Sequence, residues 1–436
     1  MPDHALRHQT SSEDVLPTLD AICQILFTVG GSENFRKCVG LAQVRVQLLC
    51  GAMNTPFSAI LKDCSPSTHH RDVENLHQSI GDHPLRERLL RALVEYAHLL
   101  KHSAEFQEAL HAYRCALRLS DAMAAGVKRQ KDAAPLPYLK AIADVCLMMG
   151  AVEDAMVAYE HARTLADMKI RVDGNQCLSE EDTCQLCELE QCIALTLLYA
   201  GKSDQSAQLL AKVQRQIAAI TVPTSTFRHL YLPAAAEVML TAAFCCGVRD
   251  AFFQAKQYLA SAEGYLEEER IDLCERGASL SMNRLLSACV KVVQGWLHLR
   301  ILLLRSEGHE IESSDGVEEE LSVDYCRTEA MQCFRLAEQL SSPHHVSVIA
   351  SWLGATLDGN FSPDLELQIK RRFAKNDPVV ASFEVCQKLS VASAGQDATD
   401  FRAKLVDASL NGKNNNLEPT QSQHGAALRS QRAARC

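Results

Sequence analysis

Two stretches of this chain place an alanine, a tyrosine and a second alanine at i, i+4 and i+7. They are Ala109, Tyr113 and Ala116 in one, and Ala155, Tyr159 and Ala162 in the other. On an α-helix those three positions share one face. A small residue lets two helix axes approach closely, and an aromatic one turn away fills the gap left between them. The run from Leu139 to Met168 shows what that face is for. It reads as two antiparallel helices joined at Gly150, with Leu139, Ile142 and Ala143 of the first meeting Ala155, Tyr159 and Ala162 of the second. Upstream, Leu93, Tyr96, Ala97, Leu100 and Ala104 mark the first helix of a similar pair.

Weaker copies follow. Ser206, Leu210 and Val213 hold the equivalent positions after a turn at Gly201; Ala255, Leu259 and Ala262 hold them again, and Ala330, Phe334 and Ala337 restore the aromatic. The residues at 109, 155, 206 and 255 lie 46 to 51 apart, so each unit carries long helices or a long linker. Composition agrees with an all-helical chain: 47% of the 436 residues are hydrophobic and only 6% aromatic, with 13 Pro and 20 Gly. Dense β-branched alternation is absent from the sequence.

Around these pairs the expected layout is as follows. Residues 1–12 read as disordered, and 13–84 as capping helices (Asp14 to Phe27 and Glu33 to Cys50) with a proline-broken connector. Residues 85–340 form the repeat array, 341–410 a helical cap, and 411–436 a polar, arginine-containing disordered tail. Within the array the expected helices include Thr183 to Ala200, Ser203 to Ile220, Pro233 to Cys246, Phe252 to Glu268, Ser279 to Arg305 and Val323 to Gln339. Beyond it come His345 to Leu357, Asp364 to Ala374, Pro378 to Ala394 and Ala398 to Leu410. Linkers are expected at Gly126 to Pro137 and Arg171 to Thr183, and an acidic loop at Glu307 to Glu320.

In a 34-residue frame, the Leu139–Met168 pair resembles the tetratricopeptide (TPR) family. Gly150, Ala155, Tyr159 and Ala162 fit its pattern; Leu139 stands where the family usually has Trp, Ile142 and Ala143 replace its Leu-Gly, and Cys146 replaces its Tyr. The resemblance implies an all-α, right-handed superhelical solenoid of about five or six antiparallel helix pairs. It also implies a concave face made by the first helix of each pair. The residues lining that face would be Arg91, Val94, His98 and Lys101, then Lys140, Asp144 and Leu147, then Gln191, Leu195 and Leu198. Some TPR proteins clamp a C-terminal carboxylate with Lys and Asn on successive repeats. Here Val94, His98 and Ala141 occupy those positions, so recognition of that kind is not expected. The lining suits an extended or helical segment of a larger protein partner. The order of units is also faintly similar to that of the TPR subunits of cohesin loaders, which would imply a chromatin-associated subunit wrapped around the N-terminal segment of its large partner.

Other chemistry finds little support. The sequence holds no phosphate-binding glycine loop, HExxH, GxSxG or kinase-like set, so a non-catalytic protein without cofactor is expected. An enzyme or ligand-sensing array would need a closed pocket with convergent polar groups. Cys177, Cys184, Cys187 and Cys192 contain one C-x2-C, but three of them fall in one helix and read as core thiols rather than zinc ligands. His69-His70 and His344-His345 read as loop histidines. The formal net charge of −10 argues against general nucleic-acid binding. The N-terminal twenty residues lack the layout of a signal peptide, and the apolar window Leu285 to Leu304 is interrupted by Lys291, His298 and Arg300, so no membrane span is expected. Eighteen cysteines then point to reduced thiols in cytoplasm or nucleus.

Overall fold

The computed structural model describes residues 19, 21–22, 32–53, 85–126, 135–172, 179–220, 227–306, 323–341 and 345–357. Outside them lie the expected N-terminal segment, the connector, the acidic loop, His69, His70, His344, Cys177, the helices expected beyond residue 357 and the polar tail. The described residues are all-α. Twelve helices run in order: α1 (Ser32–Ala52), α2 (Arg86–His102), α3 (Phe106–Gly126), α4 (Leu136–Met148), α5 (Val152–Val172), α6 (Glu180–Tyr199), α7 (Ser203–Ala218), α8 (Arg228–Val248), α9 (Phe252–Glu275), α10 (Ser281–Ser306), α11 (Val323–Ser341) and α12 (His345–Leu357).

Several helices reach further than their apolar periodicity suggests, for local reasons. α4 begins before Pro137 because a proline in the first turn forfeits no helical hydrogen bond. α6 begins at Glu180 because Ser179 accepts from the Asp182 amide at 3.0 Å and three acids follow in the first turn. α8 begins at Arg228 and carries Pro233 in its second turn. α9 runs on to Glu275, and its last turns are tied down by buried Asn283 of α10, which donates to the Leu266 carbonyl at 2.7 Å and to Glu269 at 2.9 Å.

The helices pack in chain order. α2 lies against α3, α4 against α5, α6 against α7, α8 against α9 and α10 against α11, and each pair touches the next. α6 also meets α8, α8 meets α10 and α10 meets α12, so the first helices of successive pairs lie side by side. The core divides in three: one part gathered from α1 to α6, a second from α6 to α12, and a smaller third from α6, α7 and the start of α8, with α6 contributing to all of them.

The small–aromatic–small positions are the deepest part of this packing. Ala109, Tyr113, Ala116, Ala155, Ala162, Ser206, Ala255, Ala330, Phe334 and Ala337 are fully buried and Tyr159 is 1% exposed. Twelve residues before 109, 155, 206 and 255 stand Ala97, Ala143, Ala194 and Ala243, also fully buried. The register is visible in one bond: Ser206 Oγ donates to the Ala194 carbonyl at 2.7 Å. Small residues thus face small residues where the axes come closest.

The turns repeat as well. Ala104, Gly150, Gly201 and Asp250, each five residues before its small residue, all have φ between 60° and 80°. In each, the next amide reaches back to the carbonyl five residues earlier: Glu105 to Leu100, Ala151 to Cys146, Lys202 to Leu197 and Ala251 to Cys246. This is a Schellman C-cap used four times. Glycine meets its left-handed backbone freely at only two of the four; Ala104 and Asp250 adopt it under strain.

α8 and the window 282–302 are long and apolar enough to cross a membrane by length and composition. In this fold 61% and 56% of those windows are buried against neighbouring helices. Gly247 of α8 has no room for a Cβ beside Leu297 and Trp296 of α10, a close approach that explains the apolar run.

Candidate functional site

The first helices of the pairs present polar side chains at matching positions, and the second helices hold them from beneath. Tyr113 of α3 places its hydroxyl 2.7 Å from Nδ1 of His98 on α2, and the two rings meet edge to face at 5.4 Å. Tyr159 of α5 donates its hydroxyl to Oδ1 of Asp144 on α4 at 2.5 Å. Each tyrosine reaches back fifteen residues, to the same register of its own pair. In the next two pairs Leu210 and Leu259 stand in the tyrosine position, and Leu195 and Phe244 in the partner position. The hydroxyl and its polar partner disappear together, as they must where neither could be satisfied alone.

Asp144 anchors a chain of charges across three helices. Its Oδ2 accepts from Lys101 Nζ of α2 at 2.9 Å and lies 3.8 Å from Lys140 Nζ, one turn back on α4. Lys140 in turn meets Glu188 Oε1 of α6 at 2.9 Å. Burial would raise the Asp144 carboxyl, but the Lys101 and Lys140 charges and the hydrogen bonds from Tyr159 and Lys101 outweigh it and hold the group at about 2. The Asp144 carboxylate holds Lys140 well above its ordinary value, against the desolvation that would lower it. His98 is pulled down by partial desolvation and then by Lys101, so it is neutral at pH 7. Glu237 of α8, half-buried at the far end of the row, is pushed up by desolvation and by its like-charged neighbour Glu188.

Between α6 and α8 the contact changes character. Buried Gln191 donates to the Thr241 hydroxyl at 2.6 Å. Beneath, Glu190 meets Lys212 of α7 at 2.5 Å, and its buried Oε2 accepts no hydrogen bond among the described residues.

The ten residues expected to line the first-helix face therefore divide. Lys101, Lys140 and Asp144 form the network; His98 pairs separately with Tyr113; Arg91 is exposed, and Val94 and Leu195 are half-buried. Leu147, Gln191 and Leu198 are 6%, 5% and 7% exposed, which removes them from any open lining. Gln191 and Leu198 turn inward because α6 is flanked by α5, α7 and α8 and packs on several sides, whereas Leu147 of α4 belongs to the core gathered from α1 to α6. Sequence reasoning missed Glu188 and Glu237. Both stand six residues before the register alanines Ala194 and Ala243, as Arg91 stands before Ala97, so the repeat frame carried the signal.

The remaining candidates are quieter. Cys184, Cys187 and Cys192 are buried on α6, and burial pushes the Cys184 thiol up to about 12 and the Cys187 thiol to about 11. No group of three or more metal-ligating side chains occurs among the described residues. A cleft of about 260 Å³ between α9, α10 and α11 is lined by Lys256, Glu263, His298 and Glu329 over an apolar floor that includes Leu259 and Ile301.

No known family model matches the chain, and no curated protein or solved structure matches it. Its class rests on its own geometry: an all-α protein of helices packed in chain order, with a row of charges crossing the first helices.

Proposed function

We propose that the chain is a non-catalytic scaffold or adaptor subunit of an intracellular assembly. In this reading its pairs form a TPR-like superhelical array of about five or six units, and the face made by α2, α4, α6 and α8 holds an extended or helical segment of a larger protein. The observation that carries the proposal is the cross-helix row Lys101–Asp144–Lys140–Glu188, with side-chain exposures of 17%, 19%, 26% and 37%. Such a row fixes neighbouring first helices in register while keeping charge at the surface. Half-buried Val94 and Leu195 flank it and supply the apolar contact that a protein segment needs. The similarity in unit order to cohesin-loader TPR subunits describes one form of this reading, in which the held segment is the N-terminal part of a larger subunit.

Charge reversal within the network would test folding as much as binding, so the better probe is position-specific. A photo-crosslinking side chain is placed at Arg91, Val94 or Leu195 on first helices, or at Val157 or Phe253, which are 68% and 60% exposed on second helices. Crosslinks from the first three to one segment of one stoichiometric partner, with none from Val157 or Phe253, are expected. Crosslinks from the second-helix positions alone, or from none, overturn the proposal.

A further inference from the structure

Lys291, His298 and Arg300 interrupt the most apolar window of the chain, and all three lie on α10. Polar side chains on a core helix are costly unless something nearby engages them. Arg300 is accounted for by the turn before α9, where its guanidinium donates to the two carboxylate oxygens of Asp250 at 3.0 and 3.3 Å. Lys291 and His298 belong instead to the seam with α9. Lys291 donates to Glu263 of α9 at 2.6 Å and to Oε1 of Gln294 at 3.1 Å. His298 is 5% exposed, lines the cleft between α9, α10 and α11, and meets the ring of Tyr325 edge to face at 6.1 Å. Each of the three helices gives that cleft one stripe at helical spacing, as in Gln294, Leu297, His298 and Ile301 of α10.

At about 260 Å³ the cleft is roomier than the cavity of about 150 Å³ that accepts benzene, so two fused rings fit within it. Its floor is apolar, with Leu259, Leu297 and Ile301 all buried. Three charged groups line it: Lys256, Glu263 and Glu329. Lys291 neutralises Glu263, and Lys256 and Glu329 have opposite signs, so the cleft offers no net charge to an ion entering it. We propose that this cleft binds a small uncharged heteroaromatic molecule of two fused rings that carries an N–H and a C=O. The ring faces lie on the apolar floor, with His298 and Tyr325 beside them. Lys291 holds the oxygen of the Gln294 carboxamide, which leaves its NH2 to donate to the ligand carbonyl. Glu329, half-buried and in no ion pair among the described residues, accepts from the ligand N–H. The site shares no residue with the row from Lys101 to Glu188 and rests on no part of the scaffold reading.

The test titrates the full chain with 2-quinolinone, followed by ligand-observed NMR, beside two charged analogues, quinoline-2-carboxylate and 2-naphthylmethylamine. The wild type should bind 2-quinolinone with a Kd of about 1 mM or tighter, and about tenfold more tightly than either ion. Ala260→Trp fills the cleft from an exposed position on its lining, and Gln294→Leu removes the donor. Each should weaken binding about tenfold. Gln257→Trp adds the same ring at an exposed position of α9 outside the lining and should leave the Kd unchanged. Far-UV circular dichroism confirms that each variant stays helical. Absence of saturable binding to the wild type overturns the site. So does unchanged affinity in Ala260→Trp or Gln294→Leu, equal loss in Gln257→Trp, or tighter binding of either ion. Crosslinking from the first helices reads the scaffold separately, so either proposal can fail while the other stands.

Discussion

Replacing Asp144 with asparagine should destabilise the chain in a manner that depends on pH. The carboxylate accepts from Tyr159 and Lys101 and lies near Lys140, and it is held at about 2 against an ordinary value of 3.8. A depressed carboxyl contributes stability that is complete above its unfolded value and is lost as pH falls through its folded value. For Asp144 that contribution is roughly 2 kcal/mol at pH 7, and about half of it remains at pH 3. At 19% exposure the side chain is too enclosed for solvent to screen most of this. Urea unfolding of wild type and Asp144→Asn, followed by circular dichroism at pH 7, 5 and 3, should therefore give a gap of about 2 kcal/mol at the two higher values. The gap should narrow to about 1 kcal/mol at pH 3. A gap that is constant with pH would show that the carboxylate acts through shape or neutral hydrogen bonding, and the ion-pair account would fail.

Glu237 predicts the opposite sign. Its carboxyl is raised, so the native state is favoured below the ordinary value of 4.5 and loses that advantage as pH rises; Glu237→Gln should gain on the wild type in urea midpoint between pH 4.5 and 8. Ala104→Gly should stabilise the chain by about 0.5–1 kcal/mol, because glycine removes a left-handed alanine at φ 61° at some cost in unfolded-state entropy; a lower thermal midpoint would refute the strain. Gly295→Ala would set a methyl 2.7 Å from Cε1 of the fully buried Phe334 ring and should cost about 1–3 kcal/mol, read as a fall in melting temperature.

Periodicity made the packing face legible because burial is a local property of a helix. Once Ala109, Tyr113 and Ala116 share a face, that face is committed to the core, and every residue of that signature is buried. The same logic misplaced Leu147, Gln191 and Leu198 as surface residues. A frame counted along one pair gives the side facing its own second helix, but the burial of α6 depends on α8 crossing from the following pair, a contact fifty residues away in Gln191–Thr241. Glu188 and Glu237 were hidden differently. Each looks like an ordinary solvated helix acid, and only stacking four pairs in register shows that they share a column with Arg91. The extra turns of α8 and α9 also lay outside the signature, since their ends are set by tertiary bonds such as Asn283 to Glu269.

The matched loss of tyrosine and polar partner along the array implies that each such pair is selected as a unit, and the simplest one tests this. Tyr113 is fully buried, and its hydroxyl meets the rim of the fold at His98. Tyr113→Phe removes only the hydroxyl; His98→Leu copies the third pair, where Leu195 stands. His98→Leu strands the buried tyrosine hydroxyl, at a cost of about 1–2 kcal/mol, whereas Tyr113→Phe leaves the exposed imidazole to water. The double change strands neither, so its cost should fall short of the sum by about 1 kcal/mol, measured from urea midpoints at pH 7 where His98 is neutral. Strict additivity would mean that the hydroxyl and the imidazole are each satisfied by water. The polar residue at this register would then owe its place to exposure alone, and Tyr113 and His98 would be two neighbours rather than a unit.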